Sequence, residues 1–339
     1  MMFLFAAVLV IAQSATPSPK PSPAVTLTAV VGGYTFATGQ SPGHSDLSNA
    51  LVTIARTEGA FRYSVTAGAY AFPVVGTPLV STFAAGANVN LFGYVPIAFV
   101  KWVPNSQLTL TAGKIATLLG QENGFTFQNI NIQRGLAWNA EPTISRGIRA
   151  TYTPGKLTAN LEYNDGYYSA SHRAIEGLVG WQSDPNTNVS FAFITPDRNT
   201  PPNLTASVAN KAEYDLMIAK QFGKLQILPY FLWIDSPASA SNGYASNETA
   251  FAQAFLANYA FGGSWSIAAR FEALENYSSP TDTNANADLI GFGPGSNAVT
   301  YTLTPQYKAG SLTARAEYSL VNATGFTQKR LGFELNVQL

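Results

Sequence analysis

Two short motifs carry much of the chemistry open to this chain: Arg270 with Glu272, and Arg315 with Glu317. In each motif the partners stand two apart, so on an extended chain they share one face and can pair with each other or with a neighbouring strand. Opposite charges placed in this way either stiffen a wall or set up a transverse field that orients passing polar solutes. Arg62, Arg149, Lys211 and Arg330 occupy the same kind of position, as do Glu162, Glu176, Glu213, Asp215 and Glu334.

Other chemistry is poorly provided for. Nucleophilic hydrolysis needs a nucleophile, a base and an orienting group within hydrogen-bond reach. The two histidines, His44 and His172, fall in expected loops, with only Ser45 and Ser171 beside them. Two such histidines make a poor transition-metal site, and the spacing of Asp282 and Asp288 fits no calcium-binding loop. Cysteine is absent, which removes disulfides, thiol catalysis and thiolate ligands. The chain is therefore expected to be no enzyme and to carry no cofactor or metal. Lys plus Arg equals Asp plus Glu at 19 each, without the basic excess on which nucleic-acid binding depends.

The elements that must position these charges show themselves in the alternation around them. From Ser311 to Leu320 the residues Leu312, Ala314, Ala316, Tyr318 and Leu320 form one row, and Ser311, Thr313, Arg315, Glu317 and Ser319 the other. The pattern recurs over 156–164 and 264–272. It predicts strands with one apolar and one polar face. Such a strand fits a soluble sheet with one wet side, or a membrane barrel with an apolar outside and a polar lumen.

Composition and connections separate these two readings. Charged residues make up 11% of the 339 residues and aromatics 12%, whereas soluble domains carry about 25% charge. About sixteen strands (14 to 18) are expected between residue 25 and residue 339. Tight Gly, Pro, Asn and Asp turns at 57–60, 104–106, 154–156, 184–186, 223–224, 262–263 and 309–310 alternate with longer polar stretches. The long stretches are 38–47, 73–93, 117–143, 165–174, 196–210, 236–248, 276–296 and 321–328. Short turns on one side and long loops on the other are the habit of outer-membrane barrels, with the turns periplasmic and the loops extracellular. No apolar run after residue 24 is long enough for a helical span, so the membrane reading requires a closed antiparallel transmembrane barrel. This all-β fold places Leu157, Leu161, Phe191, Trp265 and Tyr301 against lipid. Tyr152, Tyr163, Trp181, Trp233, Tyr307 and Tyr318 then form interfacial girdles.

Residues 1–15 read as a signal peptide: the apolar run from Phe3 to Ala12 ends in the small residues Ala12, Ser14 and Ala15, although no Lys or Arg precedes it. A buried N-terminal strand is the alternative. Residues 16–24, TPSPKPSPA, read as an extended tether, and residues 25–339 as the barrel. Export through the periplasm to the bacterial outer membrane follows. The last strand alternates Leu331, Phe333, Leu335, Val337 and Leu339 against polar partners. It resembles the C-terminal signal read by the barrel-insertion machinery, with leucine where such signals usually end in an aromatic.

A more specific resemblance lies at Gly113-Lys114, at Thr117-Leu118-Leu119-Gly120-Gln121-Glu122, at Asn131, Arg134-Gly135 and Glu141-Pro142, and at Gly147-Ile148-Arg149-Ala150. These residues resemble the outer-membrane β-barrel porins of the OmpL-like type. In that family a strand ending in Gly-Lys or Gly-Arg enters a Thr-rich loop with Gly-x-Glu, followed by an Asn, an Arg and a Pro-containing entry to the next strand. Where the family often has His before the last glycine, this chain has Arg146. The resemblance implies a pore for passive diffusion of small hydrophilic solutes. Folded inward, the 117–143 loop would bring Lys114, Glu122, Arg134 and Glu141 to a constriction; otherwise it is a solvated surface loop.

The lumen row so assigned nearly balances its charges, so strong ion preference is not expected from the wall alone. The expected partners are outer-membrane lipid, small polar solutes, the insertion machinery during assembly and copies of the chain in a homotrimer. A structural or adhesive barrel with a plugged lumen is the competing function, and a secreted β-sandwich the competing fold.

Overall fold

The computed structural model describes residues 25–39, 41–195 and 211–339. The expected signal peptide, the tether and the 196–210 stretch lie outside these residues. The described chain forms sixteen antiparallel strands. The first eight are β1 (Val25–Thr38), β2 (Ser41–Arg56), β3 (Phe61–Tyr70), β4 (Ile97–Trp102), β5 (Leu108–Ala116), β6 (Ile144–Tyr152), β7 (Leu157–Asn164) and β8 (Ala174–Asp184). The second eight are β9 (Thr187–Ile194), β10 (Ala212–Phe222), β11 (Leu225–Ser236), β12 (Glu248–Gly262), β13 (Trp265–Asn276), β14 (Asn297–Ala309), β15 (Leu312–Ala323) and β16 (Phe326–Gln338). Two short helices, α1 (Asn88–Phe92) and α2 (Leu136–Ala140), lie in the connections.

Every strand pairs with its sequence neighbours, and β1 pairs with β16 to close the barrel. The seam runs in register from Val30 opposite Gln338 to Thr38 opposite Arg330. Ala29 and Leu339 extend it by exchanging N–H to O bonds of 2.9 and 2.8 Å. Closure matters because an open edge in hydrocarbon leaves N–H and C=O groups with no partner. No helix among the described residues is long and apolar enough to cross a membrane, so strands are the only spanning elements described.

The alternation sorts the two faces. On β13 Trp265, Ile267, Ala269 and Phe271 point outward, while Ala268, Arg270, Glu272 and Leu274 point in and are buried. The outer row is exposed as a lipid-facing row must be, with Leu161, Phe191, Tyr301 and Leu335 all open. Aromatics crowd its end nearest the tight turns: Phe61, Trp102, Tyr152, Phe222 and Trp265 each stand at or beside a strand terminus and are exposed.

Two connections differ from expectation. Residues 38–47 and 321–328 are not long loops. β2 begins at Ser41 and pairs His44 with Phe36 and Ser45 with Thr35, and β15 and β16 meet across Thr324 and Gly325. Above the hydrocarbon band both faces of a strand meet water, so the ladder continues while the apolar alternation that signals it disappears.

The interior is packed. Its largest apolar cluster lies inside the barrel, on the inner rows of β8 to β12, with Leu228, Tyr230, Leu232, Ile234, Ala252 and Ala254 at most 3% exposed. Segments from the long connections fill the space against this wall.

Candidate functional site

The 117–143 connection folds into the lumen, and the inner wall holds it by its backbone. Gly120 N–H donates to Asp215 Oδ2 of β10 at 2.8 Å, and Leu118 N–H to Glu176 Oε1 of β8. On the facing wall Gln133 N–H donates to Glu317 Oε1 at 3.0 Å, and Thr126 Oγ1 to Glu334 Oε1 at 2.5 Å. Leu136 and Ala137 N–H donate to the two Glu272 oxygens at 3.1 and 3.0 Å. Carboxylates from four strands thus satisfy loop amides, and Glu334 of a fifth takes the Thr126 hydroxyl.

Guanidinium groups satisfy the carbonyls in the same way. Arg270 Nη1 donates to Gln133 O at 2.7 Å, and Arg315 Nη1 to Asn129 O at 2.8 Å. Arg330 Nη1 reaches Val74 O at 3.1 Å and Gln133 Oε1 at 2.9 Å. Val74 belongs to a second inserted segment, whose Val75 N–H donates to Arg134 O at 3.0 Å while Arg134 N–H donates to Pro73 O at 2.7 Å. The two inserted segments therefore brace each other across the lumen.

The start of α2 shows why the loop needs its glycine. Gly135 N–H donates to Glu122 Oε2 at 2.8 Å. A β-carbon at residue 135 would stand 2.1 Å from Glu272 Oε1 and 2.8 Å from Glu122 Oε2. Only a bare backbone admits two carboxylates at that point. Gly120, at φ +80°, packs in the same way against Glu141 Oε2.

Most of the sequence-derived charges meet a partner of opposite sign. Arg270 pairs with Glu122 at 2.7 Å and with Glu272 at 3.3 Å, and Arg315 with Glu334. Arg149 pairs with Glu162 at 2.5 Å, and Lys211 with Glu213 at 3.3 Å. All face inward, but Glu162, Glu176, Lys211, Glu213, Asp215, Arg270, Glu272, Arg315, Glu317, Arg330 and Glu334 are buried. The expectation that these groups face lumen water is corrected: the inserted segments cover them, and most serve as anchors. Arg62 and Arg149 stay partly open.

Of the constriction candidates, Glu122, Arg134 and Glu141 lie inside the barrel and buried. Lys114 does not join them. It stands in the outer row of β5 with Leu110 and Ala112, and its Nζ donates to Phe92 O and Val95 O at 2.6 and 2.5 Å. The residue before it, Gly113, holds the inward position, so the period of two turns Lys114 away. Arg134 has its Nη2 on Ile132 O at 2.6 Å; burial pulls its pKa down to about 10. Glu141 has neither carboxylate oxygen partnered, and burial, then the nearby Asp215 and Glu213, hold its carboxyl well above the ordinary range.

A cavity of about 380 Å³ opens beside this cluster at the long-loop end, lined by residues that include Tyr34, Tyr70, Phe72, Trp138, Glu141 and Tyr167. Sequence reasoning missed the 71–79 segment and Lys101. The Phe99 and Lys101 row of β4, opposite Val100 and Trp102, carried the signal for Lys101.

The family model described as beta-barrel porin-2, OmpL-like, matches residues 21–336. No curated protein matches the chain. Among solved structures it is similar to an anion-selective porin from Comamonas acidovorans, with TM-score 0.65 and 12% identity over 93% of this chain and 99% of that one. It is also similar to the outer membrane channel DcaP of Acinetobacter baumannii, with TM-score 0.62 and 10% identity over 93% and 97%. OmpT of Vibrio cholerae in its trimer form gives TM-score 0.61 and 9% identity over 93% and 99%. At these identities the structural likeness carries the fold alone. With the family match over nearly the whole barrel, the chain belongs to the OmpL-like β-barrel porins, a family of the bacterial outer membrane.

Proposed function

We propose that this barrel is a non-enzymatic channel through which small hydrophilic solutes diffuse passively across the outer membrane, driven only by their gradients. The observation that supports this most directly is the 117–143 loop, pinned inside a closed wall so that it narrows the lumen. Beside it lies the cavity at the long-loop end. Toward the tight turns the inner rows carry neutral polar groups that are only half-buried: Ser64, Thr109, Thr151, Asn160 and Gln306. Hydroxyl and amide walls of this kind pass hydrated solutes without trapping them. The inner-wall charges nearly balance in total. Export through the periplasm, insertion guided by the last strand and assembly as a homotrimer belong to the same reading.

One observation favours a second reading, a plugged barrel that anchors or displays loops. The apolar cluster on β8 to β12, with Leu119, Leu136 and Ala140 packed on it, removes that side of the lumen from solvent. Planar-bilayer recording of the purified barrel separates the two. The channel reading expects stepwise ohmic conductance, and a heat-modifiable, fully folded barrel that carries no current would overturn it.

A further inference from the structure

We infer that the tight-turn mouth of the lumen is an anion-collecting entrance, through which small oxyanionic solutes pass in preference to cations. The inference deepens the channel reading and rests on it.

The argument begins with register. Arg62 on β3 stands directly opposite Lys101 on β4, Lys101 opposite Thr111 on β5, and Thr111 opposite Arg149 on β6. All share the inner face, so three cations form one band across four strands, and Arg62, Lys101 and Arg149 are all half-buried. Arg62 lies one residue inside Phe61, where β3 begins, and Lys101 one residue inside Trp102, where β4 ends. The band therefore begins at the tight-turn rim. Lys308, one residue inside the end of β14, brings the same sign to that rim.

The carboxylates of the inner face are already committed, and Glu162, directly opposite Arg149, is the one that meets the band, at its innermost cation. The one nearest this rim, Glu334, stops four residues short of Gln338 and pairs with Arg315. Glu162 takes Arg149, and Glu176, Asp215, Glu272 and Glu317 hold the inserted loop. Among the described residues no ion pair involves Arg62 or Lys101. Arg62 Nε donates to Gly59 O at 3.0 Å, and the Lys101 ammonium lies 4.9 Å over the Phe99 ring. Glu58, in the turn before Arg62, is exposed and makes no ion pair with it.

Like charges set directly opposite each other on one face destabilise a sheet. A mouth that holds Arg62 against Lys101 offers an incoming anion the neutralisation that the protein withholds. The low-dielectric wall focuses this field into the lumen, and a guanidinium fork meets the paired oxygens of a carboxylate or phosphate. The near balance of the wall is therefore a sum over two separated regions: cationic at the mouth, acidic around the loop.

The test is the zero-current potential of the purified barrel in planar bilayers under a potassium chloride gradient. The expected result is chloride preferred over potassium by about threefold or more at low salt, with the preference collapsing near 1 M, where the Debye length is about 3 Å. In R62Q/K101Q the ratio falls toward unity, and in R62K/K101R it stays near the starting value. Heat-modifiable migration confirms closure of each variant. A conducting barrel with equal or cation preference, or one whose ratio is unchanged in R62Q/K101Q, overturns the inference alone. A closed barrel that carries no current overturns the channel reading with it.

Discussion

Arg270 on the wall and Glu122 on the inserted loop meet at 2.7 Å, and at most 1% of either side chain is exposed. Neither has water to fall back on, so removing one partner leaves the other charged and buried. Glu122→Ala is expected to cost about 3–5 kcal/mol in a chain that still closes, while E122L/R270M recovers part of that loss. The midpoint of heat-modifiable migration measures both. An E122A midpoint equal to that of the unaltered protein would show that the pair does not hold the loop.

A methyl group at position 135 tests the loop's seat from the backbone side. Gly135→Ala places a β-carbon 2.1 Å from Glu272 Oε1, so either the carboxylate or the start of α2 must move. A shift that abandons the two Glu272 bonds costs about 1–3 kcal/mol per buried amide left unpaired. The wall itself is untouched. The variant should therefore insert normally and show a larger, noisier conductance, with the 117–143 segment newly open to protease. Gly39→Ala, at an exposed position where a β-carbon would meet nothing within 4 Å, is the control.

Glu141 makes stability depend on pH. Its carboxyl is held above the ordinary value by burial and by neighbouring carboxylates, so the folded state favours the protonated form. For such a group stability is greatest below the unfolded pKa, about 4.3, and is lost as pH rises toward the raised folded value. Thermal midpoints of the unaltered protein should therefore decline from acid to neutral pH. Glu141→Gln should flatten that decline and be the more stable form at neutral pH. Parallel profiles for the two proteins would refute the assignment.

Much of the barrel was legible in the sequence because its outer row has one duty, to be apolar, and the period of two records it. All sixteen strands, and the inward direction of Arg149, Glu162, Arg270 and Glu317, follow from that row. What the inner row touches was not legible. A carboxylate facing water and one capping a loop amide read alike, since both are acids on the polar row. The inner apolar wall does leave a trace in the sequence. On β12 the inner row Ala250, Ala252, Ala254 and Leu256 is apolar as well, behind Phe251 and Phe255 outward, the mark of a strand covered on both sides. Spacing to the loop puts Lys114 at the constriction, whereas its strand parity turns it outward.

The seat of the 117–143 loop constrains the order in which the molecule can form. Its anchors Glu272, Glu317 and Glu334 come from β13, β15 and β16, more than a hundred residues further along the chain. A nascent polypeptide that has produced only its first half has a loop with nowhere to dock and a first strand with no final neighbour. Contacts so distant in sequence are slow to find, so maturation should be gated by arrival of the last hairpin. Until then the half-built cylinder depends on whatever shields its two raw edges.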